Sequence, residues 1–121
     1  MKKYTLLVFA FLFCELLFGQ TLKIKIYNKT FYDLDSVIIE NTYVGCIKKG
    51  ASVMVLNCPQ LTLQTGMPYG VPQASIKNKT RNKEPSDLED YEKTIMNAGS
   101  FKFDIIALEN SEGYNLYWRN H

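Results

Sequence analysis

The chain has 121 residues, 46% of them hydrophobic, and 14 Lys and Arg against 12 Asp and Glu leave a formal charge of +2. That length and composition describe one globular domain with a modest core, which excludes a disordered chain and a multidomain enzyme. The even charge argues against general nucleic-acid or anionic-membrane binding, and a single histidine, His121, excludes most imidazole catalysis and multi-histidine metal sites.

Met1-Lys2-Lys3 followed by the apolar run Tyr4–Cys14 reads as a secretion signal. Glu15 interrupts the run after 11 residues, short of the roughly 20 that a spanning helix needs. Residues 1–20 are therefore expected to be a signal peptide, cut near Gly19-Gln20, and residues 21–121 a single exported domain. Losing Lys2, Lys3 and Glu15 leaves 12 basic and 11 acidic side chains. The expected location is extracytoplasmic: periplasm, cell surface or medium. No nucleic acid partner is expected, nor stable membrane insertion after cleavage.

Leu22–Tyr27 alternates strictly, with Leu22, Ile24 and Ile26 on one face, as a half-buried strand does. Ser36–Glu40 is β-branched. Tyr43–Ile47 and Ser52–Leu56 flank Lys48-Lys49-Gly50-Ala51, which reads as a hairpin turn. Leu61–Gln64 alternates again. Gly66–Pro72 is dense in turn formers and unsuited to a central strand. Gln73–Lys77 is a weak strand candidate.

A basic stretch, Lys77 to Lys83, meets an acidic one, Glu84 to Glu92, and reads as an exposed polar loop. Within it Ser86 and Glu89 form a capping-box pattern, and Leu88, Tyr91 and Ile95 share one helical face, which predicts a short helix ending at Asn97-Ala98-Gly99. Phe101–Leu108 and Tyr114–Arg119 alternate as two further strands around the turn Glu109–Gly113.

About seven short strands joined by Gly, Pro and Asn turns predict a mainly β chain, an antiparallel sandwich with one short helix. Its layout is similar to immunoglobulin-like domains in pattern only; a small barrel is the alternative. The inward set is Leu22, Ile24, Ile26, Val37, Ile39, Val53, Val55, Leu61, Leu63, Phe101, Phe103, Ile105, Leu116 and Trp118.

With Cys14 removed in the signal, Cys46 and Cys58 remain, and an even pair in an oxidising compartment suggests a disulfide. Such a bond is worth about 3 kcal/mol through loop closure. A hairpin centred on Lys49-Gly50 places Cys46 opposite Val53, however, so the bond requires the chain to bend back. Two separate thiols are the alternative.

Chemical motifs are sparse. Asp33 and Asp35 beside Asn28 lack the spacing of a calcium loop and read as turn caps. Asn28-Lys29-Thr30 and Asn78-Lys79-Thr80 match the N-glycan pattern, and Asp35-Ser36-Val37 a short O-glycan pattern; such short matches occur by chance. Glu109 and Glu112 flank a turn that perturbs neither, and His121 is placed at a frayed end. No catalytic set, cofactor site or metal site is expected.

The expected function is a non-catalytic binding or interaction module of the cell envelope, with a protein or glycan partner. The alternative is an inhibitor or protector acting through Gly66–Pro72, where Met67 and Tyr69 are candidate contacts. The sharper candidate is a wet-face patch of Tyr27, Tyr117 and Arg119. Alternation points all three outward, with Tyr114, Leu116 and Trp118 facing the core, and the three form one patch if the first and last strands share a sheet.

Overall fold

The computed structural model describes residues 22–83 and 92–121. The expected signal peptide and most of the expected helix, including its Ser86 cap, lie outside the described residues. The described chain is mainly β, with no helix, and its strands form three sheets without closing a barrel.

Strands β1 (Leu22–Asn28), β2 (Leu34–Ile39), β3 (Thr42–Ile47), β4 (Ser52–Val55) and β5 (Leu61–Gln64) come first. The short β6 (Met67–Pro68) and β7 (Gln73–Ser75) follow, then β8 (Lys93–Met96), β9 (Gly99–Glu109) and β10 (Tyr114–Asn120). A four-stranded sheet has the order β10-β9-β1-β4, and two three-stranded sheets have the orders β3-β2-β7 and β6-β5-β8.

Three expectations about pairing change. First, the sheets are not all antiparallel: β1 and β9 run parallel, with Ile24 opposite Phe101 and Ile26 opposite Phe103. Secondly, Lys48–Ala51 does not close a hairpin. β3 pairs with β2, and β4 pairs with β1, so the turn carries the chain from one sheet to another. Cys46 is therefore not opposite Val53, whose partner is Ile26. Thirdly, Ile95, expected on a helical face, sits in β8 opposite Thr62 and is exposed. There the β-branched pair Thr94-Ile95 suits the pleated edge that β5 offers.

A tight hairpin joins β2 and β3 instead, through Glu40-Asn41, at φ 49° and 60°. Two successive left-handed residues are what a tight two-residue hairpin requires. The Glu40 carboxylate then accepts the Thr62 N–H at 2.6 Å, tying this hairpin to β5. In β2 and β3, the left-handed Ser36 and Gly45 coincide with the register shifts of a bulge.

The three sheets share one apolar cluster. Of the expected inward set, Val53, Leu63 and Phe101 are only half-buried against it, and the other members are buried. Leu34, Ile47, Cys58, Ala74 and Ile76 join them.

One buried polar node links two sheets. Asn28 ends β1; its backbone pairs with Ala51 and Gly50 beyond β4. Its side chain donates to Tyr32 O and Ile47 O, both at 2.8 Å, and accepts from the Thr30 N–H and Thr30 hydroxyl. All hydrogen-bonding capacity of the amide is used. The Asn-Lys-Thr triplet is thus a folding device, and Asn28 is not available to a glycan or a cation. Asp33 caps Lys49 N–H at 2.8 Å, in keeping with its reading as a turn cap.

The expected disulfide is absent: Cys46 and Cys58 are free thiols. Cys46 lies exposed on β3, whereas Cys58 points into the core and donates to Gln60 O. Desolvation, a hydrogen bond to Asp35 and the negative charge of Asp35 and Asp33 push the Cys46 thiol above its usual value. That keeps it protonated and poorly nucleophilic.

Candidate functional site

The inward residues of β1 and β9 alternate with an outer set on the far side of the four-stranded sheet. Register fixes how that outer face is arranged. One row runs Ser52, Tyr27, Asp104, Arg119 across β4, β1, β9 and β10. An adjacent row sets Met54, Lys25 and Lys102 side by side, and the next brings Lys23 against Ser100. On the other side of the Tyr27 row, Tyr117 lies opposite Ile106.

Asp104 is the centre of the first row. It is almost fully buried although it points away from the core, because three neighbours cover it. Arg119 donates to Oδ2 through Nε at 3.3 Å and Nη2 at 3.0 Å. His121 Nδ1–H donates to Oδ1 at 2.7 Å, and the His121 ring stacks on Tyr27, with centroids 3.7 Å apart and planes 6° from parallel. The ammonium groups of Lys25 and Lys29 stand 5.2 and 5.7 Å from the Tyr27 ring centroid, within cation–π range. His121 is therefore docked on the sheet, not frayed.

Desolvation alone pushes the Asp104 carboxyl up, but the hydrogen bonds and charges of His121 and Arg119 outweigh it and hold the group below its usual value. A depressed carboxylate stabilises the fold above its unfolded pKa, and that contribution disappears as pH falls through the folded value. Asp104→Asn should therefore be about 1–2 kcal/mol less stable than the parent at pH 7. The difference should close as pH falls below about 3.8. Urea unfolding of both proteins from pH 7 to pH 2.5 checks this; a constant difference across that range would refute the pairing.

Among the described residues, Asp104 is the one hydrogen-bond partner of His121, so no hydroxyl or thiol completes a nucleophilic triad around this pair. Glu109 is likewise committed: Lys79 pairs with it at 2.8 Å and the Tyr32 hydroxyl donates at 3.0 Å. These hydrogen bonds hold its carboxyl down, the opposite of a poised general acid.

A shallow groove of about 420 Å³ opens beside the Tyr27 row, lined by Lys23, Lys25, Met54, Ser100, Phe101 and Lys102. Met54 is half exposed there. A second concavity of about 170 Å³ lies against the Gly66–Pro72 loop, where Pro68, Tyr69, Val71 and Trp118 meet Glu40, Asn41 and Gln73.

The structure brings Tyr27 and Arg119 to either side of Asp104 and sets Tyr117 on the same face. Met67 and Tyr69 belong elsewhere. Met67 packs against the core from edge strand β6, and exposed Tyr69 has the Lys93 ammonium 4.1 Å from its ring centroid. Sequence reasoning missed Asp104 and His121, because a parallel pairing across some 75 residues of chain is what aligns them with Tyr27. The alternation of Lys23, Lys25 and Lys102 was visible, but not that the three share one groove.

No family model, curated protein or solved structure matches the chain.

Proposed function

We propose that this is a small exported, non-catalytic binding module of the cell envelope, with a sandwich-like layering of its sheets. Its ligand would contact the outer face of the four-stranded sheet around Tyr27, Tyr117 and Arg119. The observation that carries this reading is the Tyr27–His121–Asp104–Arg119 arrangement, which holds aromatic and cationic groups rigidly on a solvent-facing sheet. Rigid aromatics beside arginine give contact area at little entropic cost. The committed states of Asp104 and Glu109 favour binding over hydrolysis.

A second reading, inhibition through Gly66–Pro72, draws on the pinning of that loop. Pro68 and Pro72 are buried, Arg81 donates to Pro72 O and Ala74 O, and Tyr69 stands exposed between the prolines. A pre-organised loop loses little freedom on docking.

Titration of the exported protein against a panel of isolated envelope glycans and proteins tests the two readings. Tyr117→Ala and Arg119→Ala should weaken binding about tenfold, near 1.4 kcal/mol, with Tyr117→Ala leaving the melting temperature almost unchanged. Tyr69→Ala should have no effect on the same complex. Binding that survives at the patch but fails with Tyr69→Ala would transfer the function to the loop. Lost stability with intact binding would make Tyr117 structural and end the patch proposal.

A further inference from the structure

The groove beside Tyr27 contains an arrangement that folding alone does not favour. Lys25 on β1 lies directly opposite Lys102 on β9, and Lys23 lies two residues from Lys25 on the same face. Like charges directly opposite in a sheet are destabilising. Among the described residues of this face the one acid is Asp104, and it is already held by Arg119 and His121. No other described carboxylate on this face faces the three lysines, and only the Tyr27 ring, 5.2 Å from the Lys25 ammonium, meets any of them. Local rules of this kind are broken at functional sites, where a ligand supplies the missing partner.

The spacing and lining narrow the ligand. Lys23 and Lys25 are separated by two strand residues, roughly 7 Å, and Lys25 and Lys102 by one interstrand step of roughly 5 Å. The lysines are compact point charges on flexible stems, suited to a repeating anion and not to the planar bidentate grip that arginine gives. Among them Met54 offers an apolar wall, half exposed beside Lys25. The groove is shallow and open, with none of the buried polar groups that enclose a single small molecule.

We infer that the groove of Lys23, Lys25 and Lys102 binds a linear carboxylated polysaccharide, with its carboxylates on the lysines and a sugar ring face against Met54. This rests on the binding-module reading and names the ligand class for the same sheet face. The near-neutral charge of the whole chain concealed the patch, because the sheet gathers lysines that the sequence separates.

The test uses the exported protein with four probes at 20 and 200 mM salt: polygalacturonate, neutral dextran, polyglutamate and phosphatidylglycerol vesicles. Polygalacturonate should bind best, and at least tenfold more weakly at the higher salt. The paired substitution Lys25→Gln with Lys102→Gln should weaken it at least tenfold while leaving the melting temperature nearly unchanged, since the repulsion removed offsets the lost contact of Lys25 with Tyr27. Met54→Ser should weaken polygalacturonate binding and leave the weak polyglutamate binding unchanged. Polyglutamate or vesicles binding as tightly as polygalacturonate, through the same lysines, would overturn the polysaccharide and leave the binding-module reading standing. Binding indifferent to the lysine pair would overturn the groove as the site. Absence of binding to all four probes overturns the inference, and if Tyr117→Ala then also leaves every envelope titration unchanged, the broader reading falls with it.

Discussion

Asn28→Ala should lower stability by about 3–5 kcal/mol. The amide is 1% exposed and its two donors are spent on Tyr32 O and Ile47 O. Its oxygen is the acceptor for Thr30. Removing it strands several polar groups where water does not reach, at about 1–3 kcal/mol for each that stays unpaired. It also unties the end of β1 from the end of β3, so two sheets lose their polar link. Asn28→Asp is the sharper variant. It has the same shape, yet it offers no donor and sets a carboxylate against two carbonyl oxygens, so it should be at least as damaging as alanine. Urea unfolding of the three proteins decides the matter. A loss below about 1 kcal/mol for Asn28→Ala would mean that the node does not hold the sheets together.

Gly113→Ala should be nearly as costly, by about 2–3 kcal/mol, and for a reason of space. The segment after β7 runs alongside the start of β10. Tyr114 N–H donates to Thr80 O at 2.9 Å, and Asn82 N–H donates to Tyr114 O at 2.8 Å. A Cβ on Gly113 would collide with the Thr80 carbonyl oxygen and stand 2.9 Å from Asn82 Oδ1. Because the obstruction is backbone, no rotamer relieves it, and the segment must lift. With it would go the contact of Arg81 on the Gly66–Pro72 loop and the bond from Ile76 N–H to the Tyr114 hydroxyl. The melting temperature should fall by about 10–15 °C in a domain of this size. Gly50→Ala is the contrast, since φ is +75° there but nothing stands within 4 Å of the new atom. It should cost only the backbone strain, about 1 kcal/mol. Equal losses in the two variants would show that Gly113 is needed for conformation and not for room.

The two residues also show where sequence reasoning reaches and where it stops. Gly113 lies in the turn that its sequence predicts, yet its identity is dictated by a carbonyl 33 positions earlier in the chain. Asn28 was visible as the head of an Asn-x-Thr triplet. Its real partners, Ile47 O and Tyr32 O, became visible only when β3 was placed beside β2.

What the sequence determined by itself is local. Period-two alternation in residues 22–27, 101–108 and 114–119 located β1, β9 and β10, and it sorted Leu22, Ile24, Ile26, Phe103, Ile105, Leu116 and Trp118 inward. It does so because neighbouring side chains on a pleated strand must point to opposite faces. Which strands pair is a non-local choice. The same alternation in β1 fits an antiparallel partner, β4, on one edge and a parallel one, β9, on the other. Lys48–Ala51 has the composition of a hairpin turn, but the edge of β1 captured β4 and the edge of β2 captured β3. Tertiary structure alone therefore decided that Cys46 and Cys58 stay apart, that Ile95 lies in a strand, and that His121 folds back onto Tyr27. It also decided that Lys25 and Lys102, 77 residues apart in the chain, stand opposite each other on one wet face. Those outcomes depend on which backbone edges satisfy their hydrogen bonds against which others, and no window of local sequence contains that competition.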